Sequence, residues 1–413
     1  MVSVKGPELG GWFYVDFTSY MLLVLSVYII LLVFFSSVMV GRFNSFSRLV
    51  ISILVFLSIA FCVNSLIFFY FFFESVLLPT FILIMGWGYQ PERIQAVLYM
   101  VVYTVVGSVP LLYGISKLYF FGSSLSFCSM ESSLFKLNEV LPWFFFLAFM
   151  VKLPMFPFHI WLPKAHVEAP VAGSMILAGL LLKLGGYGML RFSAVMEVGV
   201  TGLGGSLILI IALWGGVLTS LVCVRQVDLK CLVAYSSVGH MSFVMLGCLS
   251  GCGLGYLGAI LIMVGHGLCS SGLFALVNIL YMNSSSRLIS LNKGCLSAVP
   301  SISLMCFLLC SSNMASPPSL NLMGEIMVYI VGVFFSWSVV VLLGVMSFMS
   351  ACYSLYIYVG TQHGKPSGLY ETDNKVSFSD LVNLLFHWLP LNFLFLFTLL
   401  WLLSYLWVVL RGV

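Results

Sequence analysis

Four charged residues stand inside long apolar runs. Glu74 lies in Phe71-Phe72-Phe73-Glu74-Ser75-Val76-Leu77, Lys152 in Ala148-Phe149-Met150-Val151-Lys152, Lys183 in Leu180-Leu181-Leu182-Lys183-Leu184, and Glu325 in Asn321-Leu322-Met323-Gly324-Glu325. An ionisable group in hydrocarbon costs at least about 2 to 3 kcal/mol, so such residues face a protein interior or a hydrated path. His266, between Gly265 and Gly267, is a fifth polar group in such a run; taken alone it reads first as a hydrogen-bonded core histidine. Two acids, two lysines and a histidine on separate helices can form a continuous polar row, as proton relays do; the rival reading is ion pairs that only fix helix packing. These residue types suit proton transfer because burial favours the neutral form of a lysine or a carboxyl, whereas pairing them favours the charged forms. A lysine beside a glutamate keeps its proton, and the same lysine with that glutamate withdrawn releases it. Glu74 and Lys152 are assigned as that pair, Lys183 as the next carrier, His266 as the bridge and Glu325 as the terminal site.

The elements that carry these residues follow from composition. Of 413 residues, 62% are apolar and 7% charged, and the mean hydropathy is +1.14. A soluble domain carries about 25% charged residues, so this chain has too few to cover a water-facing surface. No polar stretch exceeds roughly 25 residues, which leaves no room for an extramembrane domain; residues 1–413 are expected to form one all-α polytopic membrane domain. The net charge of +4 comes from scattered basic residues without an aromatic-basic cluster, which excludes nucleic acid as a partner. Cysteines such as Cys223, Cys248, Cys269, Cys306 and Cys310 lie in apolar runs and read as small core-filling residues. Lys5 and Glu8 near the start speak against a secretory signal.

Runs of about 20 apolar residues, enough to span a bilayer, predict about twelve transmembrane helices at 17–40, 49–64, 66–87, 94–119, 141–160, 170–192, 202–223, 229–249, 254–281, 297–332, 335–360 and 384–410. Continuous rather than alternating hydrophobicity excludes a barrel. Loop Lys and Arg segregate: Arg42, Arg48, Arg93, Lys164, Arg225, Lys230, Arg287, Lys293, Lys365 and Lys375 fall on one side, Lys5, Lys117, Lys136, Arg191 and Arg411 on the other. The richer side is the inner one, which places both termini outside. The fifth span breaks at Lys152-Leu-Pro154-Met-Phe-Pro157 and the tenth at Pro317-Pro318. Prolines free backbone carbonyls that lipid cannot satisfy, so both breaks must face protein or a hydrated cavity. Because the breaks are five helices apart, two inverted five-helix repeats are expected, at 49–192 and 202–360, followed by an inner loop and C-terminal helix at 361–413.

Other motifs carry less. Gly253-Leu-Gly255-Tyr-Leu-Gly258 matches a dinucleotide fingerprint without the strand before it or the acid after it, and reads as helix packing. The Cys248/Cys252 and Cys306/Cys310 pairs lack further ligands for zinc or an iron-sulfur cluster. His159, His166 and Glu168 lie on the inner loop after the first break, where they either gate proton uptake or are simply solvated.

The residues also resemble a known family. Phe72-Phe73-Glu74-Ser-Val-Leu-Leu-Pro79, Gln90-Pro-Glu92-Arg93, Phe149-Met-Val-Lys152-Leu-Pro154, His159-Ile-Trp161-Leu-Pro-Lys164-Ala-His166-Val-Glu168-Ala-Pro170, Leu182-Lys183-Leu-Gly-Gly-Tyr, Arg225-Gln-Val-Asp228-Leu-Lys230, Gly265-His266-Gly, Pro317-Pro-Ser-Leu-Asn-Leu-Met-Gly324-Glu325 and Tyr353-Ser-Leu-Tyr are similar to the chain 4 family of the proton-pumping NADH:ubiquinone oxidoreductase, respiratory complex I, itself similar to cation/proton antiporter subunits. The similarity runs from about residue 15 to 365. It implies that Glu74, Lys152, Lys183 and Glu325 match the family's proton-channel residues and His266 a histidine linking its halves. From their place on the inner side, and not from the resemblance, Lys230, His159 and His166 are assigned to proton entry or a link. The resemblance implies no cofactor bound by this chain, with NADH, flavin, iron-sulfur clusters and ubiquinone in other subunits. Neighbouring antiporter-like subunits of the membrane arm, lipids and protons are the implied partners, and the mitochondrial inner membrane the implied location. The family has two helices ahead of the one near Phe17 that are missing here, Pro157 is an added proline, and residues 361–380 and the last helix match weakly.

The leading expectation is therefore a proton-translocating membrane subunit of complex I with no redox centre of its own. The rivals are a stand-alone cation/proton antiporter, which would be transport-active when purified alone, and a structural membrane scaffold, whose buried charges would tolerate neutral isosteres.

Overall fold

Apolar sequence that has no water to bond its backbone must bond to itself, and the chain accordingly folds almost wholly into helices. The computed structural model describes residues 8–9, 11–37, 40–120, 125–127, 141–196, 203–366 and 376–411. A two-stranded hairpin, Glu8–Leu9 with Phe13–Tyr14, precedes α1 (Phe17–Ser36) and α2 (Phe43–Cys62). Then come α3 (Leu66–Ser75), α4 (Leu77–Trp87), α5 (Arg93–Phe120), α6 (Leu141–Lys152), α7 (Trp161–Glu168), α8 (Val171–Ile176) and α9 (Leu182–Met196). The rest is α10 (Leu203–Val224), α11 (Leu229–Leu249), α12 (Gly253–Ser284), the short α13 (Cys295–Ala298), α14 (Pro300–Asn313), α15 (Leu320–Phe335), α16 (Trp337–Gln362) and α17 (Phe378–Arg411).

Ten helical stretches among the described residues are long and apolar enough to cross a membrane, and α6, α14 and α15 are shorter apolar helices. Counting α6 and the α14–α15 pair as interrupted spans recovers the twelve positions expected from hydropathy. The second span starts earlier than expected, at Phe43 rather than 49, because Arg42 in the left-handed region marks the turn into the helix. Lys5, Lys136, Lys375 and both chain ends lie outside the described residues, so the side assigned to the termini has no structural counterpart here.

The spans differ in how enclosed they are. Residues 171–193 and 253–284 are buried throughout their most apolar window and 229–249 to 94%, whereas 337–362 reaches 33% and 378–398 only 22%. The first three therefore form the centre, and the others present apolar faces outward, such as Leu78, Val106 and Phe348. A helix that is apolar all round is enclosed by other helices; one with a polar group toward the centre and hydrocarbon outside belongs to the rim.

The chain breaks at the two proline runs singled out in the sequence and in two further places. α6 stops at Lys152, and a short 3₁₀ turn, Phe158–Ile160, leads into α7. α14 stops at Asn313 and α15 resumes at Leu320; cis peptide bonds precede Pro157 and Pro318. The third span is also interrupted, between Ser75 and Leu77, and a π-helical turn, Leu177–Leu181, joins α8 to α9. Pro390 shows how a freed carbonyl is satisfied: it cannot donate to the Phe386 carbonyl, which instead accepts from the Tyr28 hydroxyl of α1 at 2.7 Å.

Two charges read as loop residues are buried within helices instead. Arg191 of α9 pairs with Asp16 and with the Tyr187 hydroxyl, tying the start of α1 to the centre. Lys230 of α11 is 3% exposed and donates to the carbonyls of Ala169 at 3.0 Å and Val167 at 3.4 Å. In both cases the long side chain finds acceptors in the protein rather than water, which charge counting along a sequence does not register.

Candidate functional site

Every one of the four intramembrane charges sits at an irregularity of its helix. Glu74 is the next-to-last residue of α3, Lys152 the last of α6, Lys183 follows the π turn by two residues, and Glu325 lies in the second turn after the α14–α15 break. The prolines after Lys152 and before Glu325 mark two of these irregularities in the sequence, and Lys152 indeed ends its helix, so its backbone already turns into the break. Irregular backbone offers carbonyls that a regular helix consumes, and the lysines use them. The Lys152 ammonium donates to the Phe73 carbonyl at 2.6 Å and that of Lys183 to the Ala178 carbonyl, within the π turn, at 2.6 Å.

In the first half, the Lys152 ammonium stands 3.9 Å from Glu74 Oε1 and 3.2 Å from the centre of the Phe73 ring. The pairing assigned from sequence is thus present in space. Phe69, Phe127, Phe145, Phe149 and Phe192 pack beyond it, with ring centres of successive pairs 5.0 to 6.4 Å apart. Apolar rings leave no hydrogen-bonding partner for water, so they close that side of the pair.

Glycines bring the remaining members together. A Cβ on Gly185 would lie 2.9 Å from the backbone nitrogen of Leu153, which places α9 directly against the break that follows Lys152. The Lys183 ammonium is 3.1 Å from His266 Nδ1. Gly265 and Gly267 flank that histidine as the sequence suggested: a Cβ on the first would meet Asn321 Oδ1 at 2.3 Å, and on the second the Gly179 carbonyl and Lys183 Cε at 3.3 Å. Close approach of backbone to backbone is what a glycine permits and any other residue forbids.

The row then departs from the expected order. Glu325 meets His240 of α11, its Oε1 lying 3.6 Å from His240 Nδ1, and His240 in turn faces His266 with ring centres 5.4 Å apart. The Tyr353 hydroxyl of α16 completes the group at 3.2 Å from His240 Nε2. His240 and Tyr353 were not among the residues assigned from sequence. The signal for His240 was present: it is a histidine in the middle of a predicted span, like His266, and 2% exposed. Tyr353 had none, since a tyrosine in an apolar helix is unremarkable by composition.

The residues after the first break form a second cluster. His166 is fully buried and stacks on Phe274 with ring centres 4.6 Å apart and planes at 9°, so it is no solvated loop residue. His159 is half-buried beside Phe156 and Tyr235. Arg287 stands 3.8 Å from Glu168 and donates to the Val167 carbonyl at 3.1 Å. Burial raises the pKa of Glu168, opposed by Arg287 and reinforced by Glu92. A cavity of about 290 Å³ opens here, lined by Glu92, Lys164, Val167, Glu168, Cys231 and Tyr235. The carbonyl of Val167, one of its lining residues, is bonded by both Lys230 and Arg287.

Two family descriptions match the chain: NADH:quinone oxidoreductase/Mrp antiporter, TM, over residues 63–350, and NADH-ubiquinone oxidoreductase chain 4, amino terminus, over residues 3–64. The NADH-ubiquinone oxidoreductase chain 4 of Mytilus edulis is 55% identical over 396 residues, 96% of this chain and 91% of that protein. That of Ceratitis capitata is 48% identical over 387 residues, 92% of this chain and 86% of that protein. A chain in the structure of respiratory complex I from Thermus thermophilus with bound NADH superposes with a TM-score of 0.84 at 24% identity, covering 94% of this chain and 84% of that one. A chain of the Mrp complex from Dietzia sp. gives 0.79 at 19% identity, covering 86% and 68%. These two superpositions share the fold.

Proposed function

The chain belongs to the NADH-ubiquinone oxidoreductase chain 4 family, proton-pumping membrane subunits of respiratory complex I, and from that premise we propose that protons cross it along Glu74, Lys152, Lys183, His266, His240 and Glu325. The observation that carries this reading is the sequence of contacts among buried and, at Glu74, half-buried groups of types that exchange protons: 3.9 Å from Glu74 to Lys152, 3.1 Å from Lys183 to His266 and 3.6 Å from His240 to Glu325. Structural ion pairs alone would need partners of opposite charge, whereas Lys183 is met by an imidazole and a carbonyl, neither of which neutralises it. A group left with its charge only partly compensated is one whose proton is readily exchanged as its neighbours change charge.

Transfer begins at the Glu74–Lys152 pair. When the glutamate is drawn off or protonated, the ammonium loses its counter-charge, worth about 4 kcal/mol at 4 Å and an effective dielectric of about 20, and gives its proton toward Lys183 once that lysine has passed its own to His266. We place uptake at the cavity lined by Glu92 and Glu168, with His159, His166 and Lys230 linking it to the row, and release beyond Glu325. The two five-helix units are assigned to 49–192 and 202–360, one on each side of the Lys183–His266 contact. Electron transfer from NADH through flavin and iron-sulfur clusters to ubiquinone is assigned to other subunits, and neighbouring antiporter-like subunits and lipid cover the outward apolar faces. The location is the mitochondrial inner membrane, with both termini on the intermembrane-space side.

The test is proton release per electron pair in vesicles containing complex I with Lys152→Ala or Glu74→Ala. Loss of most of the coupled proton movement supports the reading; wild-type stoichiometry in both variants overturns it.

A further inference from the structure

Tyr353 lies in an apolar core where a phenylalanine fills the same space, yet it carries a hydroxyl. It is 2% exposed, and among the described residues that hydroxyl bonds to His240 Nε2. Its polar neighbours on α16 and α11 do not share the task. Ser350 and Ser354 donate to their own helix at Ser347 and Ala351, and Ser236, Ser237 and Ser242 donate to Val233, Ala234 and Gly239. A buried hydroxyl with no partner is costly, and this one reaches across to a histidine whose other nitrogen faces a carboxyl group at 3.6 Å.

We propose that Tyr353 is a positioning residue for proton transfer between Glu325 and His240: its hydroxyl keeps the imidazole turned with Nδ1 toward the carboxyl and stays bonded to Nε2 in each charge state of the ring. The inference rests on the relay reading above. When Glu325 is ionised it can only accept, so neutral His240 presents Nδ1–H to it and Nε2 accepts from the phenol. When Glu325 is protonated it donates to Nδ1, the ring hydrogen sits on Nε2, and the phenol oxygen accepts it. Passing the proton from Oε1 to Nδ1 turns the carboxyl into a carboxylate and the imidazole into an imidazolium, whose Nε2–H still donates to the phenol oxygen. A phenol both donates and accepts, which a backbone carbonyl or an amide proton cannot do. The α11–α16 packing has a tie of its own, since the Ser242 hydroxyl meets Met346 Sδ at 3.2 Å, so holding the helices together does not require the phenol.

The experiment compares complex I carrying Tyr353→Phe or Glu325→Gln with the wild type, reading proton release per assembled complex and the infrared carboxyl band of Glu325. Tyr353→Phe is expected to slow proton release about tenfold and to shift that band, which a purely packing role would leave in place. A tenfold change corresponds to about 1.4 kcal/mol, the order of one unmade buried hydrogen bond. An unmoved band and a wild-type rate in Tyr353→Phe, while Glu325→Gln stops pumping, overturn this inference alone. Wild-type pumping in Glu325→Gln overturns the relay and this inference with it. Should Tyr353→Phe fail to assemble, wild-type complex labelled with ¹³C at the tyrosine C–O carbon decides: a tyrosine C–O band that moves during turnover supports the proposal, and a set of bands that all stay fixed overturns it.

Discussion

The Lys183 ammonium lies between two neutral acceptors, 2.6 Å from the Ala178 carbonyl and 3.1 Å from His266 Nδ1, in a side chain that is fully buried. While the lysine carries its proton, Nδ1 accepts from it and the ring hydrogen of the neutral imidazole sits on Nε2; once the proton has passed to Nδ1, the neutral amine accepts in turn. The π turn makes the arrangement available. Its wider backbone bonds leave the Ala178 carbonyl five residues back within reach of the lysine's own side chain, and the same residue then serves both its helix and the neighbouring one.

Replacing Lys183 with Met keeps the length of the side chain and removes its charge. Exchanging a buried charge for an apolar isostere is often neutral or stabilising, so the assembled complex is expected to stay within about 2 kcal/mol of the wild type. Proton release per electron pair is expected to fall more than tenfold. Assembly is checked by native electrophoresis and thermal melting, and pumping by a pH-sensitive dye in vesicles. Pumping within twofold of wild type defeats the assignment of Lys183 as a carrier.

The two glycines around His266 give separable outcomes. Gly265→Ala drives a methyl to 2.3 Å from Asn321 Oδ1, and Asn321 bridges the α14–α15 break by donating to the Ser312 carbonyl at 3.0 Å. That variant is expected to lose about 1 to 3 kcal/mol, as overpacked cores do. Gly267→Ala meets Leu25 Cδ2 at 3.1 Å and both Lys183 Cε and the Gly179 backbone carbonyl at 3.3 Å, all close enough to ordinary contact that shifts of a few tenths of an ångström relieve them. It is expected to melt within about 1 kcal/mol of wild type but to pump more slowly per complex, because the atom it displaces belongs to the relay. Equal melting points for the two variants would contradict this account.

How far the sequence reaches is clear from particular residues. Hydropathy alone located the spans, because a bilayer demands about 20 apolar residues whatever their packing, and prolines located the breaks after Lys152 and before Leu320. The Glu74–Lys152 pair was legible because charges in hydrocarbon need partners and few exist. The interruption at Val76 carries a mark that the continuous hydropathy of the span hides, since Pro79 has no N–H for the Ser75 carbonyl; the π turn at Leu177–Leu181 has no proline or polar run to mark it. Nor does a one-dimensional pattern separate a loop arginine from one folded inward onto Asp16, as Arg191 is, or a solvated histidine from His166 stacked on Phe274. The place of His240 between His266 and Glu325 depends on how α11, α12 and α15 cross, which is tertiary geometry.

Glu168, which ends α7 outside the spans, gives a prediction with a definite sign in pH. Burial raises its pKa above the ordinary carboxyl value of 4.5 despite Arg287 at 3.8 Å. The folded protein therefore binds the proton of this group more tightly than the unfolded chain does. That contribution to stability is fully present below pH 4.5 and is lost as the pH rises through the higher folded value. Glu168→Gln, a neutral stand-in for the protonated acid, is expected to keep the contribution at all pH values. Its melting temperature relative to wild type should therefore rise as the pH climbs from below 4.5 to 8. Arg287 keeps its bond to the Val167 carbonyl in the variant, so the arginine is not left without an acceptor. Melting curves of the two complexes across that range are the measurement. A difference that shrinks with rising pH would mean that the Arg287 pair, rather than burial, governs this carboxyl at the rim of the cavity.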